Sequence, residues 1–186
     1  MNEEKTQLGK NSKKIRILAI LSFLLIFGGV IIFLFNNLDT PTQYKGGKLG
    51  GKDVPTINLT SMKDSKSYSI SDLKGKIVFV NFFNTWCIPC NEEEPVLEEF
   101  IAENKDNPDF VFISIARQDS RENIERWIKE KNPSQDVIFD SGKISLAFGV
   151  TGQPETFAIN KTGVVSATLL ARATKESLNE MLVASS

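Results

Sequence analysis

The sequence predicts an α/β domain, a mixed central sheet with helices on both faces, preceded by one transmembrane helix. Three observations carry this. Residues 77–83 (IVFVNFF) and 109–116 (DFVFISIA) are nearly all apolar and rich in β-formers, as strands buried on both faces are. Strand–helix–strand order comes first in the chain and strand–strand–helix order after it, which mixes parallel and antiparallel pairing. Residues 17–35 (ILAILSFLLIFGGVIIFLF) form 19 residues without a charge, and about 20 cross a bilayer as a helix.

The basic residues Lys5, Lys10, Lys13, Lys14 and Arg16 outnumber Glu3 and Glu4, so residues 1–16 carry +3 of a chain whose net charge is −1. Lys and Arg mark the cytoplasmic side. Residues 1–16 are therefore expected as a cytoplasmic tail, 17–35 as the anchor, and the rest outside the cytoplasm, in a single-pass protein of the cell membrane. A cleaved signal peptide is the competing reading. Its apolar core runs about 7–15 residues and ends at a small-x-small site. Phe33-Leu34-Phe35-Asn36-Asn37 offers no such site.

Residues 36–52 hold Pro41, four glycines and three lysines without apolar periodicity, the composition of a flexible linker. Residues 53–186, about 130 residues, suit one domain. Short strands are expected at 56–59 and 67–69 around a polar turn at 61–66. The strand at 77–83 is followed by a helix over 89–105 and the strand at 109–116. Ser120 caps a helix through Lys131, with Ile124, Trp127 and Ile128 on one face. A strand at 137–139 and a short helix at 141–148 follow. Residues 155–159 and 164–170 form an antiparallel hairpin through the turn Asn160-Lys161-Thr162-Gly163. A last helix, 175–183, is entered through Thr174.

Composition removes several functions. The slightly negative chain has no reason to bind nucleic acid, which demands a basic surface. There is no His, hence no His base, no His metal ligand and no Ser-His-Asp triad. Two cysteines remain, in Trp86-Cys87-Ile88-Pro89-Cys90, where a buried strand gives way to a helix. One helical turn brings the sulfurs within bridging reach. The unpaired N–H groups and dipole of a helix N-terminus stabilise a thiolate, the reactive form. Pro89 fits the first helical turn. A structural zinc site needs about four ligands, more than are present. Haem attachment needs a His after the second Cys, and Asn91 stands there. A disulfide over one turn closes too short a loop to stabilise much. A redox-active pair is the remaining chemistry, with no metal or cofactor.

These residues carry a resemblance. Residues 73–90 (LKGKIVFVNFFNTWCIPC), continuing to Glu93 and Pro95, and residues 148–157 (FGVTGQPETF) make 53–186 similar to the extracytoplasmic thioredoxin-like proteins of the TlpA, ResA and CcmG (DsbE) type. Phe83 and Asn84 replace that family's commoner Trp and Ala. The resemblance implies a thioredoxin-like fold with an extra N-terminal β-hairpin, in agreement with the two short strands before Leu73.

Cys87, at the first and more exposed position, is expected to be the nucleophile, and Cys90 to resolve the mixed disulfide. Trp86 is expected to pack beside the pair, capping the core or meeting substrate. Glu93 lies three residues beyond Cys90 on the same helical face. The resemblance marks it as an acid near the sulfurs that raises thiol pKa and moves protons, whereas Glu92 and Glu94 complement the helix dipole. The resemblance also implies that Pro154 is cis and lies against the disulfide, turning Gln153 toward an extended substrate chain. Glu155 is a candidate for specificity only.

The function expected is a thiol–disulfide oxidoreductase that reduces extracytoplasmic protein disulfides. The resemblance implies apocytochrome c among the substrates and a membrane electron donor of the CcdA/DsbD type. The alternatives are an oxidase that introduces disulfides and a non-catalytic binding module on the same scaffold. The chain is expected to act as a monomer. The full-length protein should fractionate with membranes and leave them only in detergent, with its cysteines labelled by an impermeant reagent from outside. A soluble mature form lacking residues 1–36 would contradict the anchor.

Overall fold

The computed structural model describes residues 2–38 and 49–186, with side chains described over 15–33 in the first helix. The chain divides into two units, the N-terminal helix and the domain. Helix α1 spans Asn2–Leu38. Within it, Ile15–Phe33 is long and apolar enough to cross a membrane, and its large apolar side chains are exposed.

The domain is built on a five-stranded sheet. Its strands are β3 (Ile77–Phe83), β4 (Phe110–Arg117), β5 (Asp136–Asp140), β6 (Glu155–Ile159) and β7 (Val165–Leu169), in the order β5-β4-β3-β6-β7. β3, β4 and β5 run parallel, β6 pairs antiparallel with β3, and β7 pairs antiparallel with β6. The mixed sheet therefore follows the element order read from the sequence. A separate hairpin, β1 (Asn58–Thr60) with β2 (Ser67–Ser69), precedes it.

β3 is central, and every one of its residues is buried. Its period-two alternation divides the core. Val78, Val80 and Phe82 face the hairpin and the short helix α4 (Lys143–Phe148). Ile77 and Phe79 face α2 (Ile88–Asn104) and α5 (Lys175–Ser185). Phe83, at the strand's end, packs with Ile124 and Trp127 of α3 (Arg121–Lys131) and with both cysteines. Helices thus cover both faces. Phe82, Phe148 and Phe157 form an edge-on trio with centroids 5.2–5.7 Å apart. Each buried ring contributes about 1.5–3 kcal/mol by leaving water. The trio fixes the end of β3, from which the cysteine motif departs.

Local signals explain the boundaries. The Ser120 side chain accepts from Asn123 N, and the Thr174 side chain accepts from Ser177 N, so both expected caps form. Gly163 closes the β6–β7 turn at φ +88, and Gly149 ends α4 at φ +66, conformations that favour glycine. A 3-10 helix, Ile70–Leu73, was not expected. Ser69 and Asp72 close a capping box on it. The linker expected at 36–52 lies partly outside the described residues. Its last part differs from expectation. Gly51 N donates to Val165 O and Val165 N to Lys52 O, and Leu49 packs on the core. The ordered domain thus begins before Asp53, because this stretch satisfies backbone groups at the start of β7.

Candidate active site

The site sits where β3 ends and α2 begins. Cys87 is the N-cap of α2, and its Sγ accepts from Cys90 N at 3.2 Å. The two sulfurs are joined as a disulfide, with Cα atoms 5.3 Å apart. Pro89 sits in the first helical turn, where its missing N–H costs no helical bond. A helix N–H aimed at the first sulfur is the arrangement that would steady a thiolate there.

The loop before the pair is tied down. Asp119 Oδ2 accepts from Thr85 N at 2.7 Å and Thr85 Oγ1 at 2.8 Å, and its Oδ1 accepts from Ser120 N. Asn91 Nδ2 donates to Thr85 O and Cys87 O. These bonds link the motif to the start of α3 and hold the geometry of the pair.

Exposure differs from the sequence reading in two respects. Cys87 is 6% exposed and Cys90 5%, so burial does not distinguish them. Both residues pack in the cluster of Phe83, Ile124 and Trp127, and the remaining asymmetry is the helix N–H directed at Cys87 Sγ. Trp86 is 62% exposed and does not cap the core. Its Nε1 donates to Gln118 O at 3.3 Å. With Ile88, also largely exposed, it leaves an apolar margin around the disulfide. Trp86 also borders a groove of about 860 Å³ lined by Arg117, Asp119, Asp140, Leu146 and Val150.

Glu93 is 1% exposed, on the buried face of α2 with Cys90, Leu97 and Phe100. Its Oε1 accepts from Asn81 Nδ2 at 2.9 Å, and its Oε2 from Ala173 N at 2.6 Å. Asn81 Nδ2 also donates to Thr156 Oγ1 at 3.1 Å. Burial pushes the carboxyl from 4.5 up to about 7, against the lowering effects of Ala173 N–H, Asn81 and Arg172. Asn81 escaped the sequence reading. A lone amide within the apolar run IVFVNFF was the available signal.

The Gln153–Pro154 peptide is cis, as the resemblance implies. Glu155 pairs with Phe82, so this loop lies beside the strand end that leads into the motif. Arg117 Nη1 donates to Gln153 Oε1. Arg117 is another contributor that sequence reasoning missed. Glu155 is buried and accepts from Thr151 N at 3.1 Å, and burial raises its pKa. Among the described residues no cluster of three or more His, Cys, Asp or Glu could hold a metal.

The raised carboxyl makes a stability prediction. Between 4.5 and about 7 the folded oxidised chain holds a proton on Glu93 that the unfolded chain has released. This contribution is complete below the unfolded value and is lost as pH rises through the folded one, by about 3 kcal/mol. Glu93→Gln is accommodated if the Asn81 amide turns over, so that its oxygen accepts from Gln and from Thr156. Urea unfolding of wild type and variant should therefore diverge with pH, wild type losing stability relative to Glu93→Gln from pH 4.5 to 8. Parallel pH curves would contradict the raised value.

Comparison with known proteins accords with this geometry. Residues 51–168 match the AhpC/TSA family. The chain is 33% identical over 144 residues to the thiol:disulfide interchange protein DsbE of Pseudomonas fluorescens biotype C, covering 76% of this chain and 78% of that protein. It is 31% identical over 177 residues to the thiol-disulfide oxidoreductase ResA of Bacillus cereus, covering 91% and 96%. A thioredoxin-family thiol:disulfide interchange protein from Chlorobium tepidum TLS superposes with a TM-score of 0.64 at 27% identity, over 72% of this chain and 94% of that one. With its thioredoxin-like sheet and its Cys87–Cys90 pair at the head of α2, the chain belongs to the AhpC/TSA family and is a thiol–disulfide oxidoreductase of the DsbE and ResA type.

Proposed function

We propose that this oxidoreductase works as a reductant outside the cytoplasm, held at the membrane by α1 with its N-terminus inside. One observation supports the direction above others: the buried, raised carboxyl of Glu93 on the helix face that carries Cys90. A carboxylate close to the pair opposes thiolate formation. A strong oxidant needs the reverse, a thiolate so stabilised that the reduced form is favoured. No His, Lys or Arg lies among residues 86–90 to supply that stabilisation. The helix N-terminus is the main favourable contribution.

In the reaction, the Cys87 thiolate attacks one sulfur of a substrate disulfide. A mixed disulfide forms, and the other substrate sulfur leaves as a thiolate. Cys90, deprotonated, attacks the Cys87 sulfur and releases the second substrate thiolate. Two electrons have passed to the substrate, and the protein is left with the Cys87–Cys90 bond seen here. The Cys87 proton passes to solvent or Glu93, Cys90 gives up its proton before it attacks, and the departing sulfurs take protons from solvent. Gln153 and Pro154 would present backbone to an extended substrate segment, with Trp86 beside it. Protein disulfides such as those of apocytochrome c are the substrates in this reading. A membrane thiol donor of the CcdA/DsbD type recharges the pair, and the protein works as a monomer.

Trapping tests the order of the sulfurs. Cys90→Ser should accumulate mixed disulfides with substrate proteins, because only resolution is lost, while Cys87→Ser should capture none. Capture by Cys87→Ser alone reverses the roles. Alkylation of intact cells should find the wild-type pair mostly reduced. A pair found oxidised would turn the assignment to a thiol oxidase.

A further inference from the structure

A second and far smaller cavity reaches the disulfide from within the domain. It measures about 10 Å³ and is lined by residues that include Asn81, Cys90, Glu94, Ser114, Trp127 and Gln135. That is the space of one water molecule. Two of the lining side chains bring buried polar atoms without a hydrogen-bond partner among the described residues, Trp127 Nε1 and Gln135 Oε1. Both residues are more than nine-tenths buried. Their chemistry is complementary. The indole N–H can only donate, and the amide oxygen can only accept. Gln135 Nε2 is already engaged with Ser114 Oγ at 3.1 Å. A single water would accept from Trp127 and donate to Gln135, with one O–H left over. Cys90 lines the same space.

We propose that this cavity is a built site for one ordered water that hydrogen-bonds the sulfur of Cys90 and carries its proton during resolution. Glu94, one helical turn beyond Cys90 and half-buried, lines the cavity and receives the proton. Burial raises its carboxyl pKa, with Lys131 and Glu98 as charged neighbours acting in opposite senses. In the resolving step the Cys90 S–H bond breaks, and its proton moves to the water as the water's own proton moves to the Glu94 carboxylate. The Cys90 sulfur pair then forms the bond to Cys87 Sγ, the Cys87–substrate S–S bond breaks, and the substrate leaves as a thiolate. Glu94 returns its proton to solvent. The role given to Cys90 rests on the proposed function, but the presence of the water does not.

The full-length chain in detergent micelles, with 15N-labelled indoles, tests both. The chain has two tryptophans, and Trp86 is mainly exposed, so the buried indole signal belongs to Trp127. Its N–H should show a rotating-frame Overhauser cross-peak to a long-lived water, lost in Gln135→Met. In rapid-mixing experiments with a disulfide-bonded peptide, Gln135→Met should slow resolution by Cys90 about tenfold, the scale of one hydrogen bond to an ionised group. Mixed-disulfide formation by Cys87 should change less than twofold. Glu94→Gln should slow resolution and keep the cross-peak. Absence of the cross-peak in the wild type overturns the site. A cross-peak whose loss leaves resolution unchanged, or slows both steps equally, overturns the relay. Reversed trapping by the cysteine variants would remove the relay and leave the cross-peak, so the two failures are read separately.

Discussion

The structure depends most on one buried carboxyl. Glu93 joins three parts of the domain at a single point: α2, which carries it, β3 through Asn81, and the backbone at Ala173 just before α5. A carboxylate removed from water is costly unless it is hydrogen-bonded or protonated. Here both devices operate. Two donors meet its oxygens, and burial still lifts its pKa to about 7. The group is therefore poised near neutrality, where it can give or take a proton.

That poise sits against a second, opposite influence. The first sulfur is at a helix N-terminus, with the Cys90 N–H pointing at it. In the reductant reading the helix favours a thiolate, the buried acid opposes one, and their balance would set how readily the dithiol gives up its electrons. The surroundings keep it in place. Asp119 and Asn91 hold the loop, the Phe82–Phe148–Phe157 trio holds the strand end, and Arg117 holds Gln153 beside the cis proline. Arg172 acts on Glu93 through its charge, while its exposed ion pair with Glu92 at 2.8 Å contributes little, as surface pairs do.

Much of this was legible in the chain. A nearly unbroken apolar run placed β3 at the centre of the sheet, and the cap chemistry of Ser120 and Thr174 placed two helices. The cysteine spacing and the strand–helix junction led to the redox pair. What escaped was set by tertiary contact. Nothing local to Cys87 says that the residue is as buried as Cys90, because the cover comes from α3 and the core around Phe83. Trp86 read equally well as a core cap, and only the partner at Gln118 O shows it turned to the groove. Asn81, Ala173 and Glu93 are distant in sequence and meet only once the sheet closes. The Ser69–Asp72 box was present in the sequence, but a helix of four residues has no periodicity to reveal it.

The account turns on whether the disulfide is stable relative to the dithiol. Equilibration of the protein with graded glutathione mixtures measures this directly as a reduction potential. The account requires a value nearer the about −270 mV of thioredoxin than the about −120 mV of the oxidant DsbA. A potential close to that of DsbA would contradict it, because the thiolate would then be strongly stabilised despite the buried acid.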